Sequence, residues 1–132
     1  MKGLDTNVLI RYLAQDDPKQ SRIATRFIEA ECTGEDPCFI GHITLCELAW
    51  VLQSSYRLSA AAALEVIEKL MWVEGFSIDD PAVVWRAIND AKGSNADFPD
   101  HLVSRIAEGA GCGATVTFDK KAAKWPGFEL LK

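Results

Sequence analysis

Residues 1–13, MKGLDTNVLIRYL, place a carboxylate where an extended segment meets a helix. Residues 3–5 predict a short strand, and the apolar residues from Val8 to Leu13 recur at helical spacing. Asp5 ends the predicted strand and is followed at once by Thr6 and Asn7. Ligands of parallel α/β sheets bind at the carboxyl ends of the strands. Asp5 is therefore expected at a ligand-binding edge of the molecule.

Short apolar runs alternate with longer amphipathic stretches along the rest of the chain. The further predicted strands are PCFIG, VEGFSI, GATVTFD and a last candidate, FELL. The predicted helices are residues 7–14, DDPKQSRIATRFIEAEC, TLCELAWVLQSSY beginning at Thr44, SAAAALEVIEKLMW capped by Ser59, PAVVWRAINDAK, DFPDHLVSRIAEGAG and a short KKAAKW. This alternation predicts an α/β fold with a central parallel sheet of four or five strands and helices on both faces. We expect one domain over residues 1–132.

Composition and charge argue against a membrane-spanning protein and against a surface that coats nucleic acid. The chain is 48% hydrophobic and 25% charged, and no apolar run approaches the roughly 18 residues that span a bilayer. No export signal is recognisable at the N-terminus, so a cytoplasmic location without membrane association is expected. The net charge of −5 argues against a surface built to coat nucleic acid. A polyanionic substrate would need a local device to offset that charge, such as a bound divalent cation.

The four cysteines have neither a paired zinc-site spacing nor the density of a disulfide scaffold. We interpret Cys32, Cys38, Cys46 and Cys112 as reduced thiols, with Cys46 and Cys112 in or near the core.

Four further acids occupy positions that resemble that of Asp5. Glu47 is the only charged residue between Ile43 and Leu52 on a largely apolar helix, which predicts burial. Asp97 and Asp100 begin a helix. The core stripe of this helix is predicted to be Leu102, Val103, Ile106 and Ala110. Asp119 ends the run ATVTF, as Asp5 ends the first strand.

Helix capping explains each of these acids singly. Thr44 with Glu47 fits a capping box, Asp97 with Asp100 fits one more loosely, and Asp5 and Asp119 precede helices. Capping does not explain why so many acids collect at one predicted rim. Like charges brought together repel unless a cation joins them. Mg²⁺ or Mn²⁺ suits carboxylate and water ligands, so the joint pattern favours a metal site.

Other candidate groups carry less weight. His42 and His101 flank the predicted site, but a lone histidine is more often a surface residue or one satisfied by its neighbours. Lys120, Lys121 and Lys124 form either an ordinary solvated face or, because they follow Asp119, a contact for phosphate.

Four motifs, taken in order, carry a resemblance to a known family. LDTNVLIRYL, ITLCELAWVL, ADFPDHLVSRIAEGAGC and TFDKKAAK resemble the PIN-domain family, and most closely the VapC-like toxins of toxin–antitoxin pairs. The resemblance covers nearly the whole chain. It implies a three-layer α/β/α sandwich, a metal-dependent endoribonuclease, a homodimer, and inhibition by a small VapB-like antitoxin.

The resemblance also implies a set of site residues. The acidic quartet of the family falls on Asp5, Glu47, Asp100 and Asp119, with Asp97 as an adjoining acid. By this resemblance the first three quartet acids hold one Mg²⁺ or Mn²⁺, while Asp119 orients water or assists a second ion. The polar residues that hold carboxylates and water in the family fall on Thr6, Asn7 and Thr117. The number of ions, and whether Asp97 or Asp100 is the direct ligand, stay open.

Two competing functions remain. A receiver-type signalling domain also gathers acids around Mg²⁺ at the carboxyl ends of a parallel sheet, but it normally carries paired acids after its first strand. Here Asp5 is followed by Thr6 and Asn7, and the pair Asp79–Asp80 lies elsewhere. Another phosphoryl hydrolase on the same fold, a DNA nuclease or a phosphatase, is the second alternative.

Overall fold

The structure, a computed structural model, describes residues 1–94 and 96–132. The helices in these residues are α1 (Thr6–Ala14), α2 (Pro18–Glu31), α3 (His42–Ser54), α4 (Ala60–Met71), α5 (Pro81–Lys92) and α6 (Phe98–Gly109). The strands are β1 (Cys38–Ile40), β2 (Phe76–Ile78), β3 (Thr115–Thr117) and β4 (Phe128–Leu130), with a short 3₁₀ helix at Ala122–Lys124. The predicted order of helices and strands is confirmed except for the first strand, because residues 3–5 form only an isolated bridge.

Local signals account for the starts of α2, α4 and α5. Ser59 caps α4, because its hydroxyl accepts a hydrogen bond from the Ala62 N–H at 3.1 Å. Pro18 and Pro81 open α2 and α5, where a missing N–H costs no helical hydrogen bond.

The described strands form two parallel pairs, β1 with β2 and β3 with β4. The N-terminal segment runs parallel to β1 through a single bridge between Gly3 and Phe39. Within it, the Leu4 N–H donates to the Phe39 carbonyl at 2.9 Å, and the Phe39 N–H donates to the Lys2 carbonyl at 2.7 Å. This pairing sets Asp5 at the end of an extended segment, as predicted. One central sheet of four or five strands is not confirmed among the described residues.

Apolar side chains from the helices, β1, β2 and the N-terminal segment form the core. Its largest fully buried members include Leu9, Ile40, Leu45, Leu48, Ile67, Val84, Ile88 and Leu102. Burial of each such side chain contributes about 2 kcal/mol to folding. None of the described helices is both long and apolar enough to cross a bilayer.

The predicted core stripe of α6 is wrong in three of its four members. Leu102 is buried, but Val103 and Ile106 are 54% and 42% exposed, and Ala110 is exposed as well. The buried face of α6 instead carries Phe98 and His101 together with Leu102. Both faces of this helix hold apolar residues, so periodicity alone did not identify the face that packs.

The predictions for three cysteines are also wrong. Cys32 and Cys38 form a disulfide across the turn between α2 and β1, where their Cα atoms lie 5.1 Å apart. That separation suits a disulfide, and a connection of so few residues brings the two side chains together. Cys112 is exposed rather than in the core, while Cys46 is half-buried.

Candidate active site

Asp5 and Glu47 are joined through Thr6. Asp5 is the N-cap of α1, and its Oδ1 accepts the Thr6 N–H at 2.8 Å. The Thr6 hydroxyl donates to Glu47 Oε1 at 2.9 Å, and the Thr6 side chain is buried. A single buried threonine therefore ties the carboxylate that begins α1 to the one in the middle of α3.

Two expectations about Glu47 are wrong. Helix α3 begins at His42 with Gly41 as its N-cap and without a side-chain cap, so Thr44 and Glu47 form no capping box. Glu47 is exposed, not buried. Ile43 and Trp50, one turn to either side on the same helix face, are also exposed, at 78% and 56%. An apolar face of α3 is thus left in solvent, and this is why helix apolarity misled the burial prediction.

A second group of acids surrounds Asp100. Asp100 is half-buried on the first turn of α6. Burial is the largest cause that raises the pKa of Asp100, and the negative charges of Asp119 and Asp97 raise it further, against a lowering by the Asp97 N–H. Asp97 is the N-cap of α6 but makes no side-chain cap hydrogen bond. Like charges are therefore crowded around Asp100.

Hydrogen bonds to the backbone hold Asp119 in a turn. Its N–H donates to Thr117 Oγ1 at 3.0 Å. Its Oδ1 accepts the N–H groups of Lys121 at 2.8 Å and Ala122 at 3.2 Å. Both of these bonds use the same carboxylate oxygen, so the carboxylate is fixed relative to the chain by one side only.

The charge of Asp100 acts on Cys46, the residue before Glu47, which sequence reasoning did not foresee. Burial and then the negative charge of Asp100 raise the pKa of the Cys46 thiol. Because Cys46 directly precedes Glu47 and α3 packs against α6, Asp100 lies close to the part of α3 that carries Glu47. Only the position of Cys46 beside a candidate acid hinted at this.

The remaining candidates are placed as follows. Asn7 is exposed on the first turn of α1. His42 contacts the Asp79 carbonyl through Nε2 at 2.7 Å. His101 is fully buried, its Nε2 lies 2.7 Å from Ser94 Oγ, and its ring packs edge-on against Trp125. Burial lowers the pKa of His101, which favours the neutral ring. Neither histidine contacts the acids of the quartet in these hydrogen bonds.

The chemistry of the donor set fits a hard divalent cation. Its members are carboxylates and hydroxyls, the ligands that Mg²⁺ and Mn²⁺ prefer, and a cation would relieve the crowding at Asp100. Within residues 1–94 and 96–132, however, no three His, Cys, Asp or Glu side chains form a preformed metal-binding group.

Comparison with known proteins gives two matches. A family model described as "PIN domain" matches residues 3–127. A protein named "VapC ribonuclease" from Aquifex aeolicus (strain VF5) is 28% identical over 124 residues, which cover 94% of this chain and 91% of that protein.

Proposed function

Because this chain belongs to the PIN domain family, we propose that it is a metal-dependent endoribonuclease and the toxin of a toxin–antitoxin pair. The similarity to a protein named VapC ribonuclease supports the choice of RNA as substrate. One observation carries the proposal: Thr6 joins Asp5 to Glu47 beside the crowded carboxylate of Asp100. We extend the proposal to a single domain with a three-layer α/β/α sandwich, since the family match spans nearly the whole chain.

In this proposal Asp5, Glu47 and Asp100 hold Mg²⁺ or Mn²⁺. Such an ion, when bound, stabilises negative charge on phosphoryl oxygens and lowers the pKa of water. The Thr6 hydroxyl fixes one oxygen of Glu47, and such supporting hydrogen bonds orient metal ligands. Asp119, held by two backbone amides near Asp100, orients the attacking water or assists a second ion. Asn7 and Thr117 support the carboxylates.

Reaction products follow from the groups available. No histidine is placed as a base, so the proposed attack uses water rather than the ribose 2′-hydroxyl. Products should therefore carry 5′-phosphate and 3′-hydroxyl ends.

Asp100 is the better candidate than Asp97 for the direct ligand. Asp97 lines a separate depression between α4 and α5, together with Leu64, Glu68 and Lys92. The negative charge of Asp119 instead raises the pKa of Asp100, and the charge of Asp100 raises the pKa of the Cys46 thiol, next to Glu47. Asp97 serves in this proposal as the adjoining acid that helps to set the charge of the site.

A VapB-like antitoxin is the proposed inhibitory partner. An apolar groove between α1 and α2, lined by Leu4, Val8, Ile23 and Phe27, also includes Asn7 at the edge of the site. A partner segment in this groove could place a basic side chain against the acids and form a charge-assisted pair. We also propose a cytoplasmic homodimer, which sedimentation and cell fractionation would test.

The first experiment compares RNA, DNA and a phosphomonoester as substrates. Mg²⁺ and Mn²⁺ should support RNA cleavage, Ca²⁺ should support it poorly, and EDTA should stop it reversibly. Cleavage of DNA alone would favour the DNA nuclease, and hydrolysis of the phosphomonoester alone would favour the phosphatase. Metal binding and phosphorylation without hydrolysis would favour the receiver-type domain. RNA cleavage undiminished in EDTA would refute the metal mechanism.

Expression in a bacterial host tests the toxin assignment. Expression without a partner should slow growth, and Glu47→Gln should remove this effect. Glu29→Gln, an exposed glutamate on α2 outside the site, provides the matched control and should stay toxic. Equal toxicity of the Glu47 variant would assign the growth effect to something other than catalysis.

A further inference from the structure

An exposed aromatic residue directly precedes one of the site acids. Phe118 is 77% exposed, and it lies between β3 and Asp119. The hydrogen bond from the Asp119 N–H to Thr117 Oγ1 spans this residue and fixes the turn that presents it. Single exposed apolar residues are common on protein surfaces, so it is the place of this ring, next to Asp119, that bears on function. Its position therefore links a free aromatic face to the proposed reaction centre.

Three exposed lysines follow the same acid. Lys120, Lys121 and Lys124 come directly after Asp119 or lie in the 3₁₀ helix beyond it. None of them appears in an ion pair in the described part of the chain, whereas Lys92 pairs with Glu68 at 2.8 Å. A local positive segment is thus placed beside a crowded group of acids in a chain of net charge −5.

We propose that Phe118, Lys120, Lys121 and Lys124 form a contact for single-stranded RNA beside the cleaved phosphodiester, an inference that rests on the proposed function. The Phe118 ring stacks on an unpaired base, and the lysines bind the flanking phosphates. Stacking needs a base that is free of a duplex, because paired bases keep their faces covered. The contact therefore selects loops and single strands over double helices.

The positive charge of the three lysines favours RNA, rather than a second copy of the chain, as the partner that binds this contact. A two-fold symmetric contact places the same patch of both copies together. The three lysines of each copy would then face those of the other, and like charges repel. A polyanion with exposed bases complements both the lysines and the ring.

Binding is measured in the Glu47→Gln background, so that cleavage does not interfere. The probes are a short fluorescent single-stranded RNA of mixed sequence and the same RNA annealed to its complement, followed by fluorescence anisotropy. Phe118→Ala should weaken binding of the single strand about tenfold and leave binding of the duplex nearly unchanged. Phe118→Tyr should retain binding. Trp72→Ala removes a side chain that is 76% exposed elsewhere, and it should have no effect.

Replacement of the three lysines by glutamine should reduce the salt dependence of single-strand binding by about 2 in its logarithmic slope. Lys19→Gln with Lys69→Gln, at exposed positions on α2 and α4, is the control and should leave the slope nearly unchanged. An unchanged affinity in Phe118→Ala would overturn the stacking contact, as would loss of self-association of that variant in sedimentation, which would assign Phe118 to an interface between copies.

Cleavage measurements separate this inference from the proposed function. If the wild type cleaves RNA and Phe118→Ala cleaves it with the same KM and kcat, the contact is wrong and the ribonuclease assignment stands. If binding depends on Phe118 but Mn²⁺ supports no cleavage by the wild type, the contact stands and the ribonuclease assignment is wrong.

Discussion

Two carboxylates on neighbouring helices have opposite surroundings. Asp90 of α5 is buried and receives two hydrogen bonds from Arg105 of α6, Nε to Oδ2 at 2.6 Å and Nη2 to Oδ1 at 2.9 Å. Asp100, near the start of α6, is half-buried beside two other acids and is in no ion pair in the described part of the chain. Hydrogen bonding to Asp90 raises the pKa of Arg105. Burial and the neighbouring acids raise the pKa of Asp100.

The difference separates a structural acid from a candidate functional one. The chain supplies its own guanidinium to Asp90, in a paired geometry that joins α5 to α6. It supplies further negative charge to Asp100, which disfavours the folded state without a ligand. Perturbed pKa values cluster at functional sites, where burial and like charges are brought together. Asp90 thus has a cationic partner within the protein, whereas the proposed function assigns Asp100 to a cation from solution.

The largest effect is expected on catalysis. Glu47→Gln should lower the rate of RNA cleavage about a thousandfold, since loss of a metal ligand removes several kcal/mol of transition-state stabilisation. Asp90→Asn should cleave at a rate close to that of the wild type at temperatures where it remains folded. Single-turnover cleavage rates check both variants. An equal loss of cleavage rate in Glu47→Gln and Asp90→Asn would show that catalysis does not distinguish the site acid from the structural acid.

A smaller effect is expected on stability, and it should be confined to the paired acid. Asp90→Asn should lower the free energy of unfolding by about 3 kcal/mol, because Arg105 loses its buried carboxylate partner and keeps only the exposed contact with Glu108 at 3.2 Å. Arg105 is partly exposed, which sets the loss at the lower end of the range for buried pairs. Arg105→Lys keeps the positive charge but loses the bidentate geometry. Its free energy of unfolding should therefore lie between those of the wild type and Asp90→Asn. Urea denaturation measures these values, and a fully stable Asp90→Asn would show that the pair contributes nothing.

The smallest effect concerns pH. The pKa of Asp100 is raised in the folded state, so the folded protein keeps a proton on Asp100 at a pH where the unfolded chain has lost it. Its contribution to stability is therefore present at low pH and is lost as the pH rises from the ordinary carboxyl range through the raised pKa. In EDTA, Asp100→Asn should be slightly more stable than the wild type at neutral pH, and the difference should shrink on acidification. Urea denaturation at several pH values would contradict this if the variant were less stable throughout.

Local signals explain what could be predicted from sequence. Helices α2, α4 and α5 follow from Pro18, Ser59 and Pro81 with amphipathic spacing. The order of acids along the chain, together with the family resemblance, identified candidates that the structure then places in two groups.

Non-local packing explains what could not be predicted. The side of α6 that packs depends on distant partners: Arg105 binds Asp90 of α5, and the His101 ring packs against Trp125, while the more apolar Val103 and Ile106 stay exposed. Pairing of short strands and the approach of Cys32 to Cys38 depend on turns whose geometry sequence patterns do not specify.

Metal binding tests most directly whether the acids of the site are reserved for a cation. Mn²⁺ would be titrated calorimetrically into the wild type, Asp100→Asn, Asp97→Asn and Asp90→Asn, at a temperature where all four are folded. We expect the wild type and Asp90→Asn to bind Mn²⁺ alike, Asp97→Asn to bind somewhat more weakly, and Asp100→Asn to bind more than about tenfold more weakly. A larger loss in Asp97→Asn than in Asp100→Asn would exchange the roles of these two acids. Mn²⁺ binding by Asp100→Asn as tight as that of the wild type, with Asp97→Asn equally unaffected, would contradict the account.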